Sequence, residues 1–287
     1  MGILLFSGIS ISVLILALCL PRDVADTSFA PRWLSSEIRY ATSQEYHEFA
    51  DRRAFLGIPN FANVASNLPF LFFGLCGLCL TLQQRRGASD SRRGSQEQGS
   101  SAYALFFIGI FFTFFGSAYY HWASSSARLF WDRLPMTVAF MSILAATVGD
   151  RISPRIGAAF LAPLVALGVF SAYYLHITEG SGTPDARLYG VVQFYPLVAI
   201  PLLFTLFPAR YTHSGYLLAT GASYVVAKVF ETFDRQILLS TGISGHSLKH
   251  VAAGAATFWV LVMLRRRVAL IAPHTNGSAS SPPFFPS

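Results

Sequence analysis

Two histidines four residues apart open the last apolar run of the chain, in Gly245-His246-Ser247-Leu248-Lys249-His250. On a helix, residues four apart lie one turn apart on one face. Two imidazoles converging on one point suit a divalent metal. Another apolar run ends in Gly116-Ser117-Ala118-Tyr119-Tyr120-His121, with Ser117 one helical turn from His121. The next begins at Trp131-Asp132-Arg133-Leu134-Pro135-Met136. Three neutral imidazoles and a water make a tetrahedral zinc with an open position, at which the water reaches a pKa of about 7. An aspartate beside that water can take its proton and pass it to a leaving amine. A serine hydroxyl nearby can hydrogen-bond the oxyanion that forms at an attacked carbonyl. The candidate metal ligands are therefore His121, His246 and His250, and the candidate catalytic groups are Asp132 and Ser117. A lone membrane histidine is as well explained by hydrogen-bonded packing; the combination points to a site.

These groups need elements to carry them. The chain has 287 residues, of which 53% are hydrophobic and 12% charged, and its mean hydropathy is +0.48. Soluble domains carry about 25% charge. The apolar residues come in runs near membrane-spanning length, at 62–83, 102–122, 134–149, 156–176, 189–208, 213–232 and 246–264. The expectation is an all-α membrane protein: a seven-transmembrane helix bundle plus an additional N-terminal hydrophobic helix at 3–20. Residues 1–21 are read as an anchor helix or signal and 22–59 as a polar interfacial segment with a short amphipathic helix around 43–55. Residues 60–265 are read as the seven-helix domain and 266–287 as a disordered cytosolic tail. The stretch 83–101, rich in Arg, Ser, Gly and Gln, reads as an exposed loop.

The net charge of +7 is read as a topology signal and not as a nucleic-acid surface, because the arginines are scattered at helix ends. Arg85, Arg86, Arg92, Arg93, Arg151, Arg155, Arg210 and Arg265 to Arg267 fall on one side; Arg128, Arg133, Arg187 and Arg235 fall on the other. The bias puts the C-terminus in the cytosol. It puts His121, Asp132, His246 and His250 together on the non-cytosolic side. The cysteines Cys19, Cys76 and Cys79 lie in apolar runs and read as packing residues. His47, His176, His213 and His274 have no companions in sequence, and Asp150 reads as a solvated charge at a helix end. Lys228, Glu231, Asp234 and Arg235 form either a network bracing the site or touching a lipid headgroup, or an ordinary interfacial charge cluster.

Together these residues resemble the alkaline ceramidases, within the CREST superfamily of seven-helix membrane hydrolases. The resemblance spans about 60 to 265. It rests on a Ser, a His four later, an Asp eleven after that His followed by Leu134-Pro135-Met136, and a late His-x3-His. Asn63-x2-Ser66-Asn67 adds to it. It implies hydrolysis of the N-acyl amide of a ceramide or phytoceramide to a fatty acid and a sphingoid base, in an internal membrane such as the endoplasmic reticulum or Golgi. It implies zinc held by His121, His246 and His250, with Asp132 as base then acid and Ser117 stabilising the oxyanion. The family's animal members bind calcium through an acidic D-W-x-E-x-N segment and a Glu that opens the first core helix. Here Asn60 takes the latter place and Glu45 to Arg53 lacks the pattern, which puts calcium in doubt. The alternative is a seven-helix receptor or regulatory protein of the progestin and adipoQ receptor type with a structural zinc. A transporter is less supported, since no inverted repeat or paired broken helices stand out.

Overall fold

The computed structural model describes residues 2–19, 47–86 and 93–270. Among these the architecture is all-helical, with isolated bridges only at Phe55–Ile58 and Tyr211–Ala269. In chain order the helices are α1 (Gly2–Cys19), α2 (Phe61–Ala65), α3 (Leu68–Arg86), α4 (Arg93–Trp122) and α5 (Ser126–Arg151). There follow α6 (Pro154–Gly180), α7 (Arg187–Leu206), α8 (Tyr216–Thr232), α9 (Asp234–Thr241) and α10 (Gly245–Arg266). Six spans are long and apolar enough to cross a membrane: Phe61–Arg86, Ser101–Trp122, α5, α6, α7 and α10. A multi-pass membrane protein follows. The sixth expected run, 213–232, forms α8, whose 17 residues make a rod about 25 Å long.

Side-chain bonds order the two ends of the bundle. At the end away from the histidines, Arg151 closes α5 and donates to Phe207 O just past α7, at 3.2 Å. Arg267, just past α10, donates to Asp150 at 3.0 Å, and the Tyr103 hydroxyl donates to the same carboxylate oxygen at 2.7 Å. At the other end Asp234, just past α8, bonds the start of α10. The chain from 207 to 245 therefore returns from one end to the other, and α8 is the element that makes the passage. Asp150, expected to be a solvated boundary charge, is buried. Partners from α4 and the end of α10 satisfy it, which is what a carboxylate removed from water requires.

Sequential helices are neighbours: α4 packs on α3 and α5, and α5 on α6, while α10 closes the ring between α8 and α3. α5 is the central and most buried helix. α1 runs antiparallel to α7, with Gly2 against Leu206 and the Ser10 hydroxyl against that of Tyr195. The segment expected to be a loop at 83–101 is helical at both sides, since α3 continues to Arg86 and α4 starts at Arg93. Gln and Arg are good helix formers, and an established helix propagates into them. The amphipathic helix expected around 43–55 is absent from 48–55, which runs on from a 3-10 turn at His47 as a non-helical strap; 43–46 lie outside the described residues. Residues past α10 fold back, with Thr212 N donating to Val268 O at 2.9 Å and Leu270 N to Arg210 O at 2.9 Å. The rest of the expected tail, and His274, lie outside the described residues.

Close helix approach at the histidine end depends on missing side chains. A Cβ on Gly116 would stand 2.0 Å from Trp131 O, and one on Gly245 would stand 2.3 Å from Phe230 O. Both obstacles are backbone and cannot rotate away. Gly116→Ala is expected to force α4 from α5 and to destabilise the fold by about 1–3 kcal/mol, the usual cost of overpacking. Thermal unfolding in detergent checks this; an unchanged midpoint would contradict the close approach.

Candidate metal centre

His121 lies in the last turn of α4, and His246 and His250 lie in the first two turns of α10. Local sequence fixes where α10 begins: Ser244 is its N-cap and accepts from Ser247 N at 3.3 Å. The three histidines are 0%, 7% and 3% exposed, and one ligand nitrogen from each lies within 4.8 Å of the others. The Nε2 atoms of His121 and His246 are 3.3 Å apart. Nitrogens bound tetrahedrally to zinc at about 2.0–2.1 Å would be about 3.3–3.4 Å apart. His250 turns its Nδ1 to the Ser66 hydroxyl at 2.8 Å, and that hydroxyl donates to Asn63 O at 3.1 Å. A serine whose proton is given to a carbonyl accepts from the imidazole. His250 is thereby held as the Nδ1–H tautomer, with its Nε2 lone pair free for a metal. The His121 Nδ1 has no hydrogen-bond partner among the described residues. Three buried imidazoles whose ligand nitrogens lie within 4.8 Å of one another fit a divalent metal.

Asp132, in the second turn of α5, and Ser117, one turn before His121, are both buried. Both line a cavity of about 1030 Å³ that also takes in His250, Arg133, Tyr189, Lys228, Glu231 and Lys249. Arg133 is paired with Glu179 at 2.6 Å, both side chains buried. A second cavity of about 320 Å³ is almost wholly apolar and runs deeper between α5, α7, α8 and α10. The two share Phe70, Thr113, Met136, Gln193, Tyr224 and Ala253 on their walls. The structure thus brings together His121, His246 and His250, and sets Ser117, Asp132 and His250 on one cavity.

The charged group at the end of α8 divides in two. Lys228 and Lys249 both pair with Glu231, the latter at 2.9 Å, on the cavity wall. Asp234 instead accepts from Ser244 Oγ at 2.6 Å, His246 N at 2.9 Å and Ala50 N at 3.1 Å. His47, which stood alone in sequence, has partners in the fold: its ring nitrogens meet Tyr120 Oη at 2.9 Å and Ser126 Oγ at 3.1 Å. Asp51 is gripped by Arg53 through both carboxylate oxygens, at 2.8 and 2.7 Å, which holds its carboxyl below the usual range. Asn60 adopts a left-handed backbone and donates from its side chain to His121 O at 2.9 Å. Ser66 and Phe49 had no sequence signal as site residues beyond the stretches Asn63-x2-Ser66-Asn67 and Glu45 to Arg53 in which they lie, whereas Asp234 stood in the charge cluster read as one of two possibilities, a brace of the site, and it does bond the start of α10. Ser66→Ala is expected to weaken metal binding about 10- to 100-fold, as loss of an orienting partner does. Titration of metal-stripped protein with zinc checks this, and unchanged affinity would remove Ser66 from the site.

The fold and centre define a multi-pass membrane protein with a buried three-histidine group that could hold a metal ion beside a carboxylate-lined cavity. The Ceramidase family model matches residues 56–276, and the chain belongs to that family. Comparison with curated proteins and with solved structures gives no match. The family implies a hydrolase acting on amide bonds, a lipid substrate and a membrane setting.

Proposed function

We propose that the chain is a zinc-dependent membrane amidase that hydrolyses the N-acyl amide of ceramide- or phytoceramide-like lipids to a fatty acid and a sphingoid base. The observation that carries this reading is the shared cavity, with His250, Asp132 and Ser117 on one wall and an apolar chamber leading from it. Zinc on His121, His246 and His250 would supply a Lewis acid and a water with a pKa of about 7. Asp132 takes the proton of the attacking water and delivers it to the amide nitrogen as the C–N bond breaks, so that one C–O bond replaces it and the amine leaves neutral. Ser117 hydrogen-bonds the carbonyl oxygen as it gains charge. The apolar chamber holds hydrocarbon chain, and the Lys228–Glu231–Lys249 group faces the polar end of the substrate.

In this reading α8 is the seventh crossing and 60–265 is one catalytic domain. The metal centre faces the non-cytosolic side, the C-terminus is cytosolic, and the membrane is that of the endoplasmic reticulum or Golgi. The Asp51–Arg53 pair supports leaving calcium out. Incubating purified protein with a panel of N-acyl lipids and analysing products by mass spectrometry tests the function. Equimolar fatty acid and long-chain base are expected. Zinc-loaded protein that releases fatty acid from none of them would favour a receptor-type protein instead.

A further inference from the structure

The two cavities meet on a layer one helical turn inward from the candidate reacting groups. Thr113 lies one turn inward from Ser117 on α4, Met136 from Asp132 on α5 and Ala253 from His250 on α10, and all three inner residues line both cavities. Gln193 stands in the same way below Tyr189 on α7, and Tyr224 below Lys228 on α8. One turn is about 5.4 Å along a helix. The polar side chains on the wall of the apolar chamber are Thr113, Thr220, Thr257, Gln193 and Tyr224. The threonines give their protons to backbone carbonyls: Thr113 to Gly109 O at 2.9 Å, Thr220 to Tyr216 O at 3.0 Å and Thr257 to Ala253 O at 3.4 Å. Gln193 and Tyr224 are bonded to each other, with Gln193 Nε2 donating to Tyr224 Oη at 2.6 Å between α7 and α8. Neither side chain makes another hydrogen bond among the described residues. The Tyr224 proton and the Gln193 carbonyl oxygen are therefore unspent, and both residues stand half-buried on the wall of both cavities.

We propose that Gln193 and Tyr224 form a specificity-determining subsite that takes a hydroxyl carried on a hydrocarbon chain of the substrate, one helical turn deeper than the amide. The inference rests on the reading that the site hydrolyses lipid amides. A hydroxyl placed between the two accepts from Tyr224 and donates to the Gln193 carbonyl. A plain chain displaces water from both groups and returns no partner. A site built to bond a hydroxyl rejects an analogue without one for that reason. The depth of one turn corresponds to about four to five bonds of extended chain between the amide nitrogen and the hydroxyl oxygen. A hydroxyl at that reach sits on the fourth carbon of a sphingoid base or on the third carbon of an acyl chain.

The test compares the purified, zinc-loaded full chain on three N-acyl sphingoid lipids of equal chain length. One carries the hydroxyl on the fourth carbon of the base, one carries it on the third carbon of the acyl chain, and one has neither. The readout is kcat/KM from fatty acid released. Wild-type protein is expected to favour one or both hydroxylated lipids over the plain one by about 10- to 100-fold, and the lipid favoured tells which chain enters the chamber. Tyr224→Phe keeps the ring that packs against Phe140, 5.4 Å away between centroids, and removes only the hydroxyl. In this variant and in Gln193→Leu the preference should collapse to near unity. Tyr195→Phe, whose lost hydroxyl meets Ser10 away from both cavities, should keep the wild-type preference. Wild-type protein that cleaves all three lipids equally well would overturn the proposal. So would an undiminished preference in Tyr224→Phe, even with every rate lowered, since that marks a purely structural pair. Should Gln193→Leu not fold, Tyr224→Phe decides. Wild-type protein that hydrolyses none of the lipids would instead overturn the amidase reading itself.

Discussion

Protein carrying His250→Ala is expected to be purified without its metal and without activity. The reason lies in the geometry of the centre. In the proposed centre His250 is one of three imidazole donors, and its Nδ1 is engaged by Ser66, which leaves Nε2 for the ion. With two histidines left, the site loses far more than the about 10- to 100-fold that an orienting residue is worth. His246→Ala should behave in the same way. His176→Ala serves as the control: that ring packs on Phe130 and lies outside the triad. Metal per chain, measured by atomic emission on folded protein, checks the prediction. Full metal content in His250→Ala would remove the triad as the ligand set.

The second large effect is expected from Asp132→Asn, and it should differ in kind. The amide has nearly the shape of the carboxylate but cannot take a proton from water or return one to the leaving nitrogen. Turnover should fall about a hundred- to ten-thousandfold, the usual span for loss of a general acid–base group. Metal content should stay at the wild-type level, because Asp132 stands on the cavity wall and outside the histidine group. The contrast between the variants separates holding the ion from moving the proton. Asp132→Asn protein that turns over at the wild-type rate would take the proton-transfer role from Asp132.

The triad was legible in the sequence because its signals are local. His246 and His250 share a helix face by spacing alone, and Ser117 and His121 do the same on α4. The positions and order of the six membrane-length spans were legible because apolar runs of that length have few other uses. What escaped were groups that act through long separations. Ser66 meets His250 and Ala50 meets Asp234 across 184 residues each, and nothing near either marks the pairing. Asp234 sat in a run of charges that looked uniform, yet Lys228 and Glu231 pair with each other while Asp234, on the same cavity wall, holds the start of α10. The strap misled because its alternation of Tyr, Phe and charged residues suits an amphipathic helix. Instead it is bent by left-handed residues at Leu56, Gly57 and Asn60 and held in place by side-chain ties to other elements. Asp150 misled for a related reason: hydropathy marks where a helix ends but not which tyrosine and arginine from other helices arrive there.

The central claim is that water, activated at the triad, cleaves a lipid amide. The most direct measurement is hydrolysis of a ceramide-like lipid by zinc-loaded protein in isotopically heavy water, with the released fatty acid and base weighed by mass spectrometry. The account predicts heavy oxygen in the carboxyl group of the acid, none in the base, and no products from the Asp132→Asn or His250→Ala proteins. Fatty acid without the label, or equal release by those two variants, would contradict it.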